Sequence, residues 1–285
     1  MTERFIFTVA TGRCGQASFA ELVNQHVPEA YAAFEEPQVR PVLTGVLGDF
    51  ERHFRRRFME TDELLGRGQV LRAFVAGDDD FIERVARQRL GQIRRQIAFK
   101  GKSVFVDVSK FFARGLHVGY GRCLPEFGLV LLVRDPLKNM RSFLNRDKDF
   151  YKDNSAVDAA RNYLRLNPRG LEKGELYLWA WCELYLRFLA IRETRQVTHS
   201  AIIHTDDLVD NNRVAEHFRA LDLLSIPLTS VPAMNTNFEH GRQTTVVTTE
   251  DVRTFERFRD RLPASVIERI GYLKCYRPAA AACPE

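Results

Sequence analysis

The sequence of 285 residues lacks the patterns that mark disulfide-rich and metal-binding proteins. Its five cysteines, at positions 14, 123, 182, 275 and 283, are odd in number and widely scattered, and none forms a C-x-x-C pair. No histidines accompany them at metal-ligand spacing. These absences exclude the usual disulfide framework and the usual zinc site, so we expect reduced thiols, no metal and a cytoplasmic location.

Long apolar runs are missing as well. No run approaches the roughly 18 residues that a membrane-spanning helix needs, and the N-terminus has no basic region followed by an apolar one. Residues 4–10 are already predicted to form a core strand. We therefore expect neither a transmembrane segment nor a signal peptide.

The excess of basic residues is small and uneven. The formal net charge is +5, and residues 51–102 carry 13 Lys/Arg against 8 Asp/Glu, which equals the whole excess. We favour a solvated helix surface as the explanation; the alternative is a rim that attracts an anionic cofactor or an acidic glycan. Nucleic acid is disfavoured, because the aromatic residues of this segment fall on apolar helix faces.

The stretch from Phe5 to Asn24 combines a buried strand, a glycine turn and the start of a helix. Residues 5–10 are almost entirely apolar and rich in β-branched and aromatic types, which predicts a strand buried on both faces. Residues 11–18 form a polar turn that contains Gly12 and Gly15. This arrangement can bind phosphate through backbone N–H groups at a helix N-terminus. An ordinary strand-to-helix turn is the alternative.

Two familiar phosphate-binding motifs do not fit this turn. The kinase and ATPase P-loop requires G-x-x-x-x-G-K-[ST], but Ala17 stands five residues after Gly12 and no lysine follows either glycine. The dinucleotide motif G-x-G-x-x-G is also absent.

A second predicted strand, residues 128–134, ends in an arginine and leads into a helix. Arg134 is followed by Asp135 and Pro136, and Ser142 stands eight positions after the arginine. Proline at this place suits the first position of a helix. The planar fork of an arginine can donate two parallel hydrogen bonds to a phosphate, so Arg134 is suited to such a ligand.

The rest of the chain alternates predicted strands and helices. Further strands are expected at 30–34, 103–107 and 201–208, and helices at 43–100, 176–191 and 214–224. A single amphipathic helix is predicted for 252–272, and Asp206 and Asp207 are expected to cap the helix that follows them.

Asp107 closes the predicted strand 103–107. A carboxylate at the end of a buried strand is unfavourable unless it has a partner or a function, and ligands of open α/β sheets bind at this edge. We favour a functional role for Asp107, with capping of the following structure as the alternative.

Both phosphate-binding stretches resemble those of PAPS-dependent sulfotransferases. Residues 11–18, TGRCGQAS, resemble the 5′-phosphosulfate loop of the family, and Arg134 with Ser142 resembles its 3′-phosphate site. Fainter similarities are Glu35-Glu36-Pro37, the stretch Asp107 to Lys110, and a closing Gly271-Tyr272. The resemblance implies an α/β, three-layer, P-loop NTPase-like fold with a central parallel sheet. It further implies a single domain over 1–285, a helical substrate-side insertion at about 43–100 and a frayed tail at about 278–285.

The resemblance also implies roles for individual residues. The cofactor would be 3′-phosphoadenosine-5′-phosphosulfate (PAPS), without a metal. Arg13 would neutralise charge on the leaving phosphate, and Asp107 would remove the proton of the acceptor. Glu36 and Lys110 would lie on the acceptor side. The implied cofactor-binding residues are Gly12, Arg13, Cys14, Gly15, Gln16, Ala17, Ser18, Arg134, Ser142 and Arg242.

The sequence departs from the family where hydroxyl residues are usual, at Cys14, Gln16 and Ala17. This leaves room for a sulfotransferase-fold protein that binds a glycan or another partner without turnover. A P-loop kinase that uses ATP is a less favoured reading, because the Lys-[ST] pair is missing. The acceptor is expected to be a small molecule or a glycan, and the oligomeric state is left open.

Overall fold

The computed structural model describes residues 3–34, 45–54, 68–146, 149–152, 154–224, 226–228 and 246–278. Five parallel strands in these ranges form one sheet in the order β2-β3-β1-β4-β5. They are β1 (Arg4–Ala10), β2 (Ala30–Phe34), β3 (Val104–Val108), β4 (Phe127–Val133) and β5 (Val197–His204).

Eleven α-helices lie within the described residues. They are α1 (Gln16–His26), α2 (Gly45–Phe54), α3 (Gln69–Ala76), α4 (Asp79–Phe99), α5 (Leu116–Cys123), α6 (Pro136–Leu144), α7 (Lys173–Arg192), α8 (Asn211–Ala220), α9 (Thr249–Asp260), α10 (Ala264–Arg269) and α11 (Gly271–Cys275). None of them combines the length and the apolar character that crossing a bilayer requires.

The sheet is buried on both faces, which explains its near-continuous apolar strands. Every residue of β3 and β4 is buried. One face carries Phe7 and Phe105 and packs against helices that include α4 and α7. The other face carries Ile6 and Val106 and packs against α1 and α8. The predicted α/β architecture with a central parallel sheet is therefore confirmed.

The strand order places the carboxyl ends of three strands side by side. The chain runs from β1 through β2 to β3 on one side of β1, and then adds β4 on the other side. In the register of the sheet Phe7 pairs with Asp107 and Ala10 pairs with Leu132. The connections that leave β1, β3 and β4 therefore start next to one another, at the edge where ligands of open α/β sheets bind.

Two local predictions were wrong. The single helix expected at 252–272 is broken into α9, α10 and α11, because Pro263 ends the run and becomes the N-cap of α10. Asp207 accepts a hydrogen bond from the backbone N–H of His204 in the 3-10 turn Thr205–Val209. The helix α8 is capped instead by the side chain of Asp210.

The crossing of α4 and α5 depends on a glycine, which gives a first prediction. A Cβ atom on Gly119 would lie 2.6 Å from the carbonyl oxygen of Ile82 and 2.7 Å from Cβ of Ala86. We expect Gly119→Ala to lower the free energy of unfolding by about 1–3 kcal/mol through overpacking, as measured by urea denaturation.

The control for this prediction is Gly121→Ala in the same helix. A Cβ atom there meets nothing within 4 Å, so alanine should stabilise α5 by up to about 1 kcal/mol. Equal effects of the two substitutions would contradict the close crossing.

Candidate functional site at the carboxyl edge of the sheet

The turn between β1 and α1 has a backbone shaped for an anion. Gly12 (φ 94°), Arg13 (φ 62°) and Gly15 (φ 80°) all have left-handed conformations. Gly15 is the N-cap of α1 and, as a glycine, supplies no side-chain hydrogen bond to this helix end. The first N–H groups of a helix lack intrahelical partners, and the helix dipole favours negative charge there. We refer to residues 11–15 as the anion loop.

Both glycines of the anion loop are also in close contact with other elements. A Cβ atom on Gly12 would lie 3.3 Å from the ring of Phe143 in α6. A Cβ atom on Gly15 would lie 2.7 Å from Leu208, in the 3-10 turn after β5. The loop is therefore fitted into the space between α6 and that turn, and a side chain at Gly15 would require Leu208 or the loop to move.

The structure joins the two predicted phosphate-binding stretches directly. Nε of Arg13 donates a hydrogen bond to Oγ of Ser142 at 3.2 Å. Nη1 of Arg134 donates to the carbonyl oxygen of Arg13 at 3.2 Å. Arg13, Arg134 and Ser142 thus converge from β1, β4 and α6 at one place.

Arg134 is held in position by the residues around it. Its carbonyl oxygen accepts a hydrogen bond from the indole of Trp181 at 3.0 Å. Burial lowers the pKa of Arg134, and the nearby acidic groups of Asp135 and Asp206 oppose this effect. Asp135 itself caps α6 by accepting from the N–H of Lys138 at 2.9 Å. It is therefore a structural residue, which supports the predicted helix start at Pro136.

Cys14 uses its side chain for packing rather than for ligand contact. It is buried in the same core as Phe19 and Leu208. Burial raises the pKa of its thiol to about 11, although hydrogen bonds from Gly12 and Thr11 and the charge of Arg134 act in the opposite direction. The thiol is therefore neutral at pH 7 and adds no negative charge beside a bound phosphate. Gln16, Ala17 and Ser18 form the first turn of α1.

The structure argues against the predicted role of Asp107 as the base. Its side chain is fully buried within β3, and Oδ2 lies 3.3 Å from Nη2 of Arg89, which is buried as well. A base must reach the proton that it removes, and a carboxylate enclosed with an arginine beneath the sheet has no such access. In this structure Asp107 is the counter-ion of Arg89 in the core, and its role as the base stays a prediction that this burial disfavours.

The acceptor-side residues are described only in part. Lys110 follows β3 at the carboxyl edge, with its ammonium 5.8 Å from the ring centroid of Phe111. Glu36 and Arg242 lie outside the described residues. Within the described ranges, no three His, Cys, Asp or Glu side chains are grouped as metal ligands.

Sequence reasoning missed two residues that contact the anion loop. Nδ2 of Asn139, in α6, donates to the carbonyl oxygen of Gly12 at 2.9 Å. Nη2 of Arg114, in the 3-10 turn Phe112–Arg114, donates to the carbonyl oxygen of Thr11 at 3.4 Å. A signal for Asn139 existed in the sequence: it stands three residues before Ser142, on the same side of the helix.

Comparison with solved structures identifies similar folds. The sulfotransferase domain of the Synechococcus PCC 7002 olefin synthase matches with a TM-score of 0.50 and 15% identity, over 98% of this chain and 96% of that chain. The sulfotransferase domain from the curacin biosynthetic pathway matches with a TM-score of 0.45 and 12% identity, over 92% of this chain and 99% of that chain. A sulfotransferase from Alicyclobacillus acidocaldarius matches with a TM-score of 0.38 and 14% identity, over 93% of this chain and 99% of that chain.

Sequence comparison adds no further relatives. No protein-family model and no curated protein matches the chain. The similarity thus rests on the fold, and the first of the three structures carries it.

The buried pair of Arg89 and Asp107 gives a second prediction. Asp107→Asn would leave the guanidinium of Arg89 in the core without a counter-charge. Because breaking a buried ion pair from one side costs about 3–5 kcal/mol, we expect a loss of that size in the free energy of unfolding, measured by urea denaturation.

The pair of Glu3 and Arg94 is the control, since both side chains are exposed and Arg94 belongs to the same helix as Arg89. Glu3→Gln should change stability little, because exposed ion pairs contribute little. An unchanged free energy of unfolding for Asp107→Asn would contradict the structural role of Asp107 as the partner of Arg89 and would favour its role as the base.

The fit of Gly15 gives a third prediction. Gly15→Ala adds a left-handed alanine and a clash with Leu208. Gly77, which ends α3, has nearly the same φ of 78° but open space around it. We expect Gly77→Ala to cost about 1–2 kcal/mol from the left-handed conformation alone, and Gly15→Ala to cost more. Equal losses in thermal or urea unfolding would show that the anion loop tolerates a side chain.

Proposed function

We propose that this chain, which has the sulfotransferase fold, transfers a sulfuryl group from PAPS to a hydroxyl or amine of an acceptor. One observation carries the proposal. The anion loop and the Arg134 stretch, which resemble the two phosphate-binding elements of sulfotransferases, are joined through Arg13, Ser142 and Arg134. A nucleotide with phosphates at both the 5′ and 3′ positions would find a donor set for each.

The residues present fit such a nucleotide. The N-terminus of α1 supplies backbone N–H groups for the 5′-phosphosulfate. Arg134 and Ser142 supply a charged fork and a hydroxyl for the 3′-phosphate. The neutral thiol of Cys14 leaves this positive environment intact. When bound, PAPS would supply an activated sulfuryl group; the chain itself supplies binding, alignment and charge stabilisation.

Arg13 is suited to act between the two phosphate positions. Its left-handed backbone belongs to the anion loop, whereas its guanidinium reaches Ser142. A fixed positive charge at this place stabilises negative charge that develops on the leaving phosphate. As in phosphoryl transfer, alignment of donor and acceptor and charge stabilisation would account for most of the rate.

We propose a small-molecule or glycan acceptor, with Lys110 at the edge of β3 and Glu36 as the acceptor-side residues. Glu36 is also our proposal for the base, since Asp107 is enclosed with Arg89.

A second function, nucleotide or glycan binding without turnover, is supported by one observation. Among the described residues, the carboxylate that the sequence suggested as the base is buried in an ion pair. If the chain uses no other base, it would bind the nucleotide and fail to transfer. Measurement of turnover separates the two functions.

Calorimetric titration with adenosine 3′,5′-bisphosphate, alongside ATP with magnesium, tests the proposal. We expect the bisphosphate to bind and ATP to bind much more weakly, because ATP has no 3′-phosphate for Arg134 and Ser142. Preference for ATP would indicate a kinase, and binding of neither would refute the proposed cofactor.

Arg134→Ala is the variant that sharpens this test. Hydrogen bonds to charged groups contribute about 1.5–3 kcal/mol, so we expect at least a tenfold loss of bisphosphate affinity. Arg95, an exposed arginine of α4, provides the control, and Arg95→Ala should bind like the original protein. Unchanged affinity of Arg134→Ala would contradict the assignment of the 3′-phosphate site.

A further inference from the structure

We propose that Asn139 is a positioning residue that fixes the peptide between Gly12 and Arg13, so that the anion loop presents its donors to the 5′-phosphate. This inference rests on the proposed function. The residue contacts no phosphate itself, since its amide is buried behind the loop and is bonded to the carbonyl of Gly12.

Three successive carbonyls of the anion loop are each bound by a side chain from a different element. The oxygen of Thr11 accepts from Arg114, at 3.4 Å. The oxygen of Gly12 accepts from Asn139 at 2.9 Å and from the hydroxyl of Thr11, within the loop, at 3.1 Å. The oxygen of Arg13 accepts from Arg134 at 3.2 Å. The bond from Asn139 is the shortest of these, and its side chain is 1% exposed.

These bonds determine which way the N–H groups of the loop point. In a planar trans peptide the C=O and the following N–H point in opposite directions. The bond to Asn139 therefore turns the N–H of Arg13 away from α6. The peptide before Arg13 begins at a glycine, which can adopt many backbone conformations. Its orientation is therefore selected by contacts to its carbonyl oxygen, and Asn139 makes the shorter of the two, from outside the loop.

Asn139 differs from Arg114 and Arg134, the two other side chains that bind the loop carbonyls, because it carries no charge. Arg114 and Arg134 would attract a phosphate through their charges wherever the loop carbonyls point, so their removal changes two things at once. Removal of the Asn139 amide changes the peptide orientation and leaves the charge of the site unchanged. Its effect should therefore be confined to the 5′ end of the nucleotide.

The test compares two ligands by calorimetry: adenosine 3′,5′-bisphosphate and adenosine 3′-monophosphate, which lacks the 5′-phosphate. For Asn139→Leu, which is of similar size, we expect about a tenfold or greater loss of bisphosphate affinity. The affinity for the 3′-monophosphate should stay within about twofold of the original protein. A residue that merely supported the fold would weaken both ligands alike.

Met140→Leu is the matched control, because it exchanges a buried neighbour in α6 for the same side chain. It should leave both affinities unchanged. Asn139→Ala, which suits a helix, replaces Asn139→Leu if the larger side chain prevents folding, as judged by circular dichroism and thermal unfolding.

The outcomes separate the two proposals. Loss of affinity for both ligands by the same factor, or for neither, would overturn the role of Asn139 while leaving the cofactor assignment intact. Failure of the original protein to bind the bisphosphate would refute the proposed function, and the positioning role would fall with it.

Discussion

The conformation of the anion loop depends on hydrogen bonds to its carbonyl oxygens. Side chains from the 3-10 turn after β3, from α6 and from the end of β4 bind three consecutive carbonyls of residues 11–13. These contacts draw together connections that the strand order already places side by side. The parallel sheet thus brings the donors close together, and the hydrogen bonds to the carbonyl oxygens fix the backbone of the loop that we propose as an anion site.

A buried ion pair in α7 supports one of the side chains that bind the loop. Arg187 donates to Glu183 at 2.6 Å and to the carbonyl of Ala113 at 2.7 Å. Glu183 also accepts from the N–H of Leu164 at 2.7 Å, and burial raises the pKa of its carboxyl group. Because Ala113 stands next to Arg114, this pair supports the turn from which Arg114 reaches the loop. A polar pair in the core is thus linked to the site by backbone contacts.

Much of this arrangement could be predicted from the sequence, and the physical reasons are specific. Buried parallel strands are short apolar runs, so β1 and β4 were recognisable in the sequence. The glycine turn stands directly after β1, and Arg134 stands directly after β4. The partner of Asp107 was not predictable, because Arg89 lies 18 residues away on a helix whose other arginines face solvent. The spacing of Asn139 from Ser142 places it on the same side of α6, but its partner was not predictable, since the contact with Gly12 joins residues 127 positions apart.

A loop that binds through its backbone tolerates changes in its side chains. Cys14 stands where a hydroxyl is usual, yet its side chain faces the core and its peptide remains in place. What must be kept is a set of left-handed residues and donors for their carbonyls, which many sequences can supply. In such a site, the residues that hold the loop from behind matter as much as those that face the ligand.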